Sequence, residues 1–199
     1  MKLILASSSP SRKMILNKLG LPYEAIAPDI DESVLPGEAP HAHVLRLAEA
    51  KARKVALTNP EALIIGSDSV CILNGKIMSK PESHAEAVRQ LQASSGKVIF
   101  FHTGLVLLNS KTNTLQKDVV TTEVHFKSLS DELIEAYLLR DQPYSCAGSI
   151  KVEGLGVILI DKMIADDPNS VVGLPLIKLV EMLDQAQVTL LATQHTLSL

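Results

Sequence analysis

The run Leu63-Ile64-Ile65-Gly66-Ser67-Asp68-Ser69-Val70 reads as a buried strand interrupted by glycine, serine and one carboxylate. An ionised Asp at that depth is expensive unless a metal or a cation balances it. Gly66 lets another group approach the backbone closely. A strand of this kind needs apolar mass around it, and the chain has it: 199 residues, 46% hydrophobic and 21% charged. That length fits one domain over 1–199, with room for two lobes. The composition excludes disordered, collagenous and low-complexity chains.

Other stretches set the fold class. Leu3 to Ala6 reads as a second buried strand, broken by Ser7-Ser8-Ser9-Pro10. Ser9 is placed to N-cap a helix with Pro10 at its first position, and Gly20 stops that helix. A short strand is expected near Tyr23–Ala27, then an acidic loop from Pro28 to Pro40 and a helix from Pro40 to about Leu57. Leu63–Ile72 is strand-like, and Asn74-Gly75 is a hairpin signal. Ser83 and Ser130 are placed to open helices through about Ala93 and Arg140. Val98–Leu108 and Leu115–Phe126 read as a long antiparallel hairpin, Gly154–Ile160 as a strand, and Pro175 starts a last helix with Leu176, Leu179, Val180 and Leu183 at helical spacing. The mixture predicts an α/β fold with a mixed β-sheet and flanking helices.

Three Phe, three Tyr, no Trp and a net charge of −3 argue against a protein that stacks bases or tracks a phosphate backbone. No nucleic-acid polymer is therefore an expected partner. The first apolar run is too short for a signal peptide, and no segment nears the roughly 18 apolar residues of a membrane span. The expectation is a cytoplasmic protein without a membrane partner, with Cys71 and Cys146 as reduced thiols.

Several polar residues stand where chemistry could use them. The Ser-rich start of the first helix suits an anion, and Arg12 adds a fork-shaped cation; ordinary capping beside a solvated Arg is the plainer reading. In the 40–57 helix Val44, Leu47, Ala48 and Val55 form a stripe that also contains Lys51, with Arg46, Glu49 and Arg53 opposite. Lys51 either snorkels or reaches into a cleft toward phosphates. A cation left on an apolar stripe predicts that Lys51→Ala keeps or raises stability. Asp68 is a general base, a metal ligand or a turn cap. Pro81 holds the preceding backbone extended and projects Lys80. Glu32 and Asp68 together would suit a hard divalent cation completed by phosphate oxygens. His41 and His43 are two apart on a helix and do not face one another, which speaks against a zinc pair.

These pieces jointly resemble the Maf family of nucleotide pyrophosphatases. The resemblance rests on Leu3-Ile4-Leu5-Ala6-Ser7-Ser8-Ser9-Pro10-Ser11-Arg12, Asp31-Glu32, Leu45-Arg46-Leu47-Ala48 with Lys51-Ala52, and Ile65-Gly66-Ser67-Asp68. It continues through Lys80-Pro81, Thr103-Gly104, Cys146-Ala147-Gly148-Ser149 with Glu153-Gly154, and Asp167-Pro168-Asn169 with Gly173-Leu174-Pro175. The similarity is greatest to the YceF-like branch, whose substrate is 7-methyl-GTP. It implies the sheet-and-cleft fold of Maf and ITPase proteins, with a deep cleft between two lobes. It also implies a cytoplasmic hydrolase that cuts a nucleoside triphosphate between its α and β phosphates. A divalent metal (Mg²⁺ or Mn²⁺) is implied as cofactor and a homodimer as a possible assembly. By position, Asp68 matches the proton acceptor, and Ser7, Ser9, Arg12, Glu32, Lys51 and Lys80 match polar cleft residues. Ser11, Ser69 and Glu153 match positions that set the substrate. Ser11 stands where the branch commonly has an aromatic and Ser69 where it has Gln, so a shallower base preference is expected. The same resemblance carries two alternatives: a dTTP, UTP or broader nucleotide pyrophosphatase, and a nucleotide-binding regulator of septum formation without turnover.

Overall fold

The long apolar stretches form strands that outrun any one core. The computed structural model describes residues 1–191. Its elements are β1 (Lys2–Leu5), α1 (Pro10–Leu16), β2 (Glu24–Ala25), α2 (Pro40–Ala56), β3 (Ala62–Leu73), β4 (Lys76–Met78), α3 (His84–Ser94), β5 (Val98–Asn109), β6 (Thr114–Phe126), α4 (Asp131–Asp141), β7 (Ile160–Ala165) and α5 (Leu176–Gln185). One sheet runs β2-β1-β3-β5-β6-β7, and β4 folds back on β3. β1 lies parallel to β2 and β3, while β3, β5, β6 and β7 pair antiparallel in turn. This is the mixed sheet with a long hairpin that the sequence predicts. Among the described residues no helix is long and apolar enough to cross a membrane.

The first half of β3 is covered on both faces. Leu63 and Ile65 pack with Ile15, Leu16, Leu179 and Leu183 of α1 and α5. Ala62 and Ile64, pointing the other way, pack with Ala48, Ala52 and Val55 of α2. A separate core lies around the far end of the strand, where Cys71 and Leu73 meet Leu91, Phe101, Ile134 and Leu138 of α3, β5 and α4. β3 and β5, twelve residues each, run from one core to the other. Asp68 falls between the two cores, so the change of packing partner is what opens a cleft above it.

Three serines cap as expected: Ser9 Oγ accepts from the Arg12 N–H, Ser83 Oγ from Glu86 and Ser130 Oγ from Leu133. Two expected strands differ. Tyr23–Ala27 shortens to Glu24–Ala25 at the exposed sheet edge. The strand expected over Gly154–Ile160 is a 3₁₀ turn over Leu155–Leu159, and β7 begins at Ile160. The chain is folded back there because Asp141 Oδ2 accepts the Leu155 N–H (3.1 Å) and the Lys151 carbonyl accepts the N–H groups of Gly154 and Gly156. The two glycines are packing positions, not the flexible strand start the sequence suggests: a Cβ on Gly156 would stand 2.4 Å from the Lys151 carbonyl oxygen.

Two glycines let α2 settle onto the sheet. A Cβ on Gly66 would stand 2.1 Å from the Ala48 carbonyl oxygen, and one on Gly104 would stand 2.5 Å from that of Val44. Asp68 is two residues beyond Gly66 on the same strand face and pairs in register with Gly104. Lys51 is three residues beyond Ala48 on the helix. Close helix–strand contact at the glycines therefore delivers the ammonium to the carboxylate. Gly66→Ala is expected to force α2 outward. Overpacking of this sort costs about 1–3 kcal/mol, which at ~2–4 °C per kcal/mol for a chain this long should lower the melting temperature measurably. Activity should fall with it. An unchanged melting temperature with intact activity would show that the close approach is not needed.

Candidate active site

A cleft of about 730 Å³ opens where the two cores part. It falls within the size range of small-molecule sites. Ser7, Ser9, Ser11, Arg12, Glu32, Lys51, Asp68, Ser69, Lys80 and Glu153 all line it, so every site residue expected from the sequence comes to one place. They arrive from the β1–α1 turn, the first turn of α1, the loop before α2, α2 itself, β3, the segment after β4 and the turn before β7.

The centre is a three-membered ion cluster. Lys51 Nζ lies 2.6 Å from Asp68 Oδ1 and 2.9 Å from Glu32 Oε1. The Lys51 and Asp68 side chains are 6% and 9% exposed, whereas Glu32 is 54% exposed. Lys51 is thus neither a snorkelling residue nor a lone cation on an apolar stripe. Asp68 Oδ2 has no hydrogen-bond partner among the described residues, and no buried side-chain polar atom there lacks one. Oδ2 therefore faces the open cleft, free to accept from a water. Partial burial pushes the Glu32 carboxyl up, but Lys51, Lys80 and Arg12 together outweigh it and hold it below the ordinary carboxylate value.

Arg12 is fixed by a distant part of the chain. Its Nε donates to the Gly173 carbonyl (2.7 Å), and Nη2 lies 3.5 Å from Ser69 Oγ. Ser67 Oγ, on the same strand face as Ser69, is shared between the carbonyls of Gly104 (2.8 Å) and Gly173 (2.9 Å). The loop bearing Gly173 is anchored by the buried Asp167, whose Oδ2 accepts the Ile177 N–H of α5 and whose Oδ1 accepts from Asn169. Burial lowers the Arg12 guanidinium from its ordinary value, with Asp68 and Glu32 opposing.

The three positions expected to set the substrate divide. Ser11 Oγ donates to Glu153 Oε1 (3.0 Å), joining α1 to the turn before β7. Ser69 keeps company instead with Arg12 and with Thr103 Oγ1 at 3.1 Å. Cys146 also lines the cleft, and both cysteines are free thiols. Burial pushes the Cys71 thiol up to about 12, that of an inert core residue. His41 and His43 diverge: His41 packs edge-on against His102, while His43 turns in toward Glu38. The sequence gives no site role to Ser67, Gly173, Glu38 or His43, whose contacts here are set by tertiary packing. Arg46 lies opposite the apolar stripe of α2, as its helical phase predicts, and its guanidinium is taken up by Glu38.

A divalent cation fits this site in one way. Glu32 and Asp68 converge on a single ammonium, so both carboxylates are within reach of one small ion. No group of three His, Cys, Asp or Glu side chains that could hold a metal is present among the described residues. Hard cations of the magnesium class use one or two carboxylates and take the rest of their shell from water and substrate phosphates. Glu32 and Asp68 meet that requirement, and a protein-only cage is not needed.

The family described as Maf-like protein matches residues 2–186. A 7-methyl-GTP pyrophosphatase of Nitrosococcus oceani is 52% identical over 184 residues, covering 92% of both chains. A protein of the same name from Methylobacillus flagellatus is 54% identical over 181 residues, 91% of this chain and 94% of that one. Among solved structures, the Ham1 protein of Staphylococcus aureus superposes with a TM-score of 0.47 at 16% identity, over 63% of this chain and 72% of that one. With the match running from β1 to the end of α5, the chain belongs to the Maf-like protein family.

Proposed function

We propose that the protein is a nucleoside triphosphate pyrophosphatase that cuts the anhydride between the α and β phosphates, with 7-methyl-GTP as its preferred substrate. The observation that carries the reading is Asp68: a carboxylate held by one oxygen to a buried lysine, its second oxygen open to a cleft that Arg12, Lys80 and the Ser7–Ser9 turn also line. Relatives about half identical over nine-tenths of the chain bear the name 7-methyl-GTP pyrophosphatase, which supports the choice of substrate.

In this reading Arg12, Lys51 and Lys80 bind the triphosphate, and the Ser7–Ser9 turn orients it. The fork of Arg12, aimed by the Gly173 carbonyl, suits one phosphate in a fixed orientation. Water enters opposite the leaving pyrophosphate and hydrogen-bonds to Asp68 Oδ2. As its oxygen bonds to the α-phosphorus, its proton passes to Oδ2 and the bond to the bridging oxygen breaks. Nucleoside monophosphate and pyrophosphate leave. Glu32 and Asp68 would hold the divalent cation, which when bound supplies charge neutralisation of the phosphates.

The base is assigned to the end of the cleft where Ser11 meets Glu153. N7 methylation gives guanine a positive charge, and a carboxylate beside it gains Coulomb energy that neutral bases do not return. Glu153 can also accept from the guanine N1–H and amino group. An aromatic at position 11 would add a cation–π contact; Ser11 adds instead a hydrogen bond that steers Glu153. The test is pyrophosphate release from 7-methyl-GTP, GTP, UTP and dTTP with Mg²⁺. The wild type should give the highest kcat/KM with 7-methyl-GTP, and Glu153→Gln should reduce its ratio to GTP severalfold while leaving GTP itself little changed. Higher kcat/KM with UTP or dTTP, or a ratio indifferent to Glu153→Gln, would overturn the substrate. Absence of pyrophosphate release from all four would overturn the activity.

A further inference from the structure

Residues 26–39, between β2 and α2, form neither helix nor strand. Glu32 sits in the middle of that run. Its backbone bonds lie to either side, from the Ile26 N–H to the Leu5 carbonyl and from the Glu38 N–H to the Leu35 carbonyl. A half-exposed carboxylate on such a loop would not hold one position unaided.

A second ion cluster, outside the phosphate-binding set, ties this loop down. Arg46 Nε donates to Glu38 Oε1 (2.5 Å), and its Nη2 donates to Glu38 Oε2 (2.7 Å) and to the Ser33 carbonyl (2.9 Å). His43 Nδ1 is 2.8 Å from Glu38 Oε2, and the Leu35 N–H donates to the same oxygen at 3.1 Å. Asp31 Oδ1 accepts the Ser33 N–H (2.9 Å). The Glu38 and His43 side chains are only 7% and 5% exposed. Such a carboxylate, with both oxygens engaged and away from water, is not surface decoration. Arg46 and His43 draw its carboxyl far below the ordinary value against the effect of burial, so Glu38 stays ionised throughout the neutral range.

The geometry points to Glu38 and Arg46 as positioning residues for Glu32. Arg46 grips the loop on the C-terminal side of Glu32, at the backbone of the very next residue, Ser33, and again at Glu38. Arg46 and Lys51 stand on the same helix, five residues apart. One rigid element therefore sets both the ammonium and the loop that brings Glu32 onto it. A bidentate fork fixes angle as well as distance, and an error of about 1 Å at a site of this kind can cost on the order of 100-fold.

The inference rests on the proposed role of Glu32 as part of the cation and phosphate site. Its test is a double-mutant cycle in the full chain: Arg46→Gln and Glu38→Gln, each alone and on Glu32→Gln. Two readouts are taken: kcat/KM for 7-methyl-GTP across a Mn²⁺ titration, and Mn²⁺ binding beside a non-hydrolysable α,β-methylene GTP analogue, followed by water proton relaxation. Arg46→Gln should lower kcat/KM about tenfold or more, raise the half-saturating Mn²⁺ severalfold and weaken Mn²⁺ binding to match. On Glu32→Gln it should change either readout less than twofold, because the residue it positions is gone. Glu38→Gln, nearly isosteric, should follow the same pattern if Arg46→Gln folds poorly. Arg46→Lys should restore little, because the fork is lost. Losses that multiply on the Glu32→Gln background, or single variants indistinguishable from wild type, would overturn the inference. A wild type that turns over no nucleotide would overturn the function alone, and the relaxation measurement would still decide the positioning. Mn²⁺ binding that Glu32→Gln leaves unchanged would remove the basis of the inference itself.

Discussion

Asp68→Asn is expected to leave a folded protein that has lost most of its turnover, about 10²–10⁴-fold in kcat, the usual effect of removing a positioned general base. The exchange is nearly isosteric. An amide oxygen can still accept from Lys51 Nζ, so the contact that seats α2 over β3 persists in shape. What changes is the atom that faces the cleft. In the wild type it is an acceptor, Oδ2, with no hydrogen-bond partner among the described residues. In the variant it is an amide nitrogen that donates and cannot take a proton from water. The charge of the cluster also shifts: among the described residues Lys51 keeps the half-exposed Glu32 alone as its counter-ion. Binding of nucleotide should suffer less than turnover. Single-turnover pyrophosphate release, with circular dichroism as the fold control, separates these effects. A folded variant with a near-wild-type rate would exclude Asp68 as the base.

The features legible in the sequence were those with a local signature. Ser9 before Pro10 announces a cap. Lys51 is readable as inward-facing because Val44, Leu47 and Ala48 fix the phase of its helix, and Asp68 because a charge in an apolar run requires a partner. None of these identifies that partner. That Lys51 answers Asp68 depends on how closely α2 lies on β3 at Gly66, a matter of tertiary packing. The contacts that shape the cleft are more remote still: Ser11 meets Glu153 across 142 positions, and Arg12 meets the Gly173 carbonyl across 161. The second of these uses a backbone oxygen, which has no residue signature. The turn over Leu155–Leu159 was misread as a strand for a related reason. Its apolar residues suit either state, and the deciding groups, the Asp141 carboxylate and the Lys151 carbonyl, come from elsewhere in the fold. Arg46 shows the converse limit: helical phase places it away from the apolar stripe, but the face opposite a stripe is not always water, and here it carries the loop before α2.

Lys51 is where the sequence and the structure make opposite predictions about stability. Read as a lone cation on an apolar stripe, its removal should be neutral or stabilising. In the fold the ammonium is the direct partner of a nearly buried carboxylate, 2.6 Å away. Breaking a buried pair by deleting one member leaves the other charge uncompensated and typically costs about 3–5 kcal/mol. The lower end applies, because Asp68 Oδ2 opens onto the cleft and Arg12 still contributes a favourable field. Lys51→Met, which keeps the apolar stem and removes the charge, should therefore lower the melting temperature by roughly 6–12 °C, from ~3 kcal/mol at ~2–4 °C each. It should also abolish most activity by taking a cation from the phosphates. The double variant Lys51→Met with Asp68→Asn separates pairing from packing. With the carboxylate neutralised no uncompensated charge remains, so the double variant should regain most of the lost stability and none of the activity. Chemical denaturation of the four proteins gives the coupling directly. If Lys51→Met melts at or above the wild-type temperature, the ion pair contributes nothing to stability and the stripe reading holds. A double variant as unstable as Lys51→Met alone would place the loss in packing around the stem rather than in the unpaired charge.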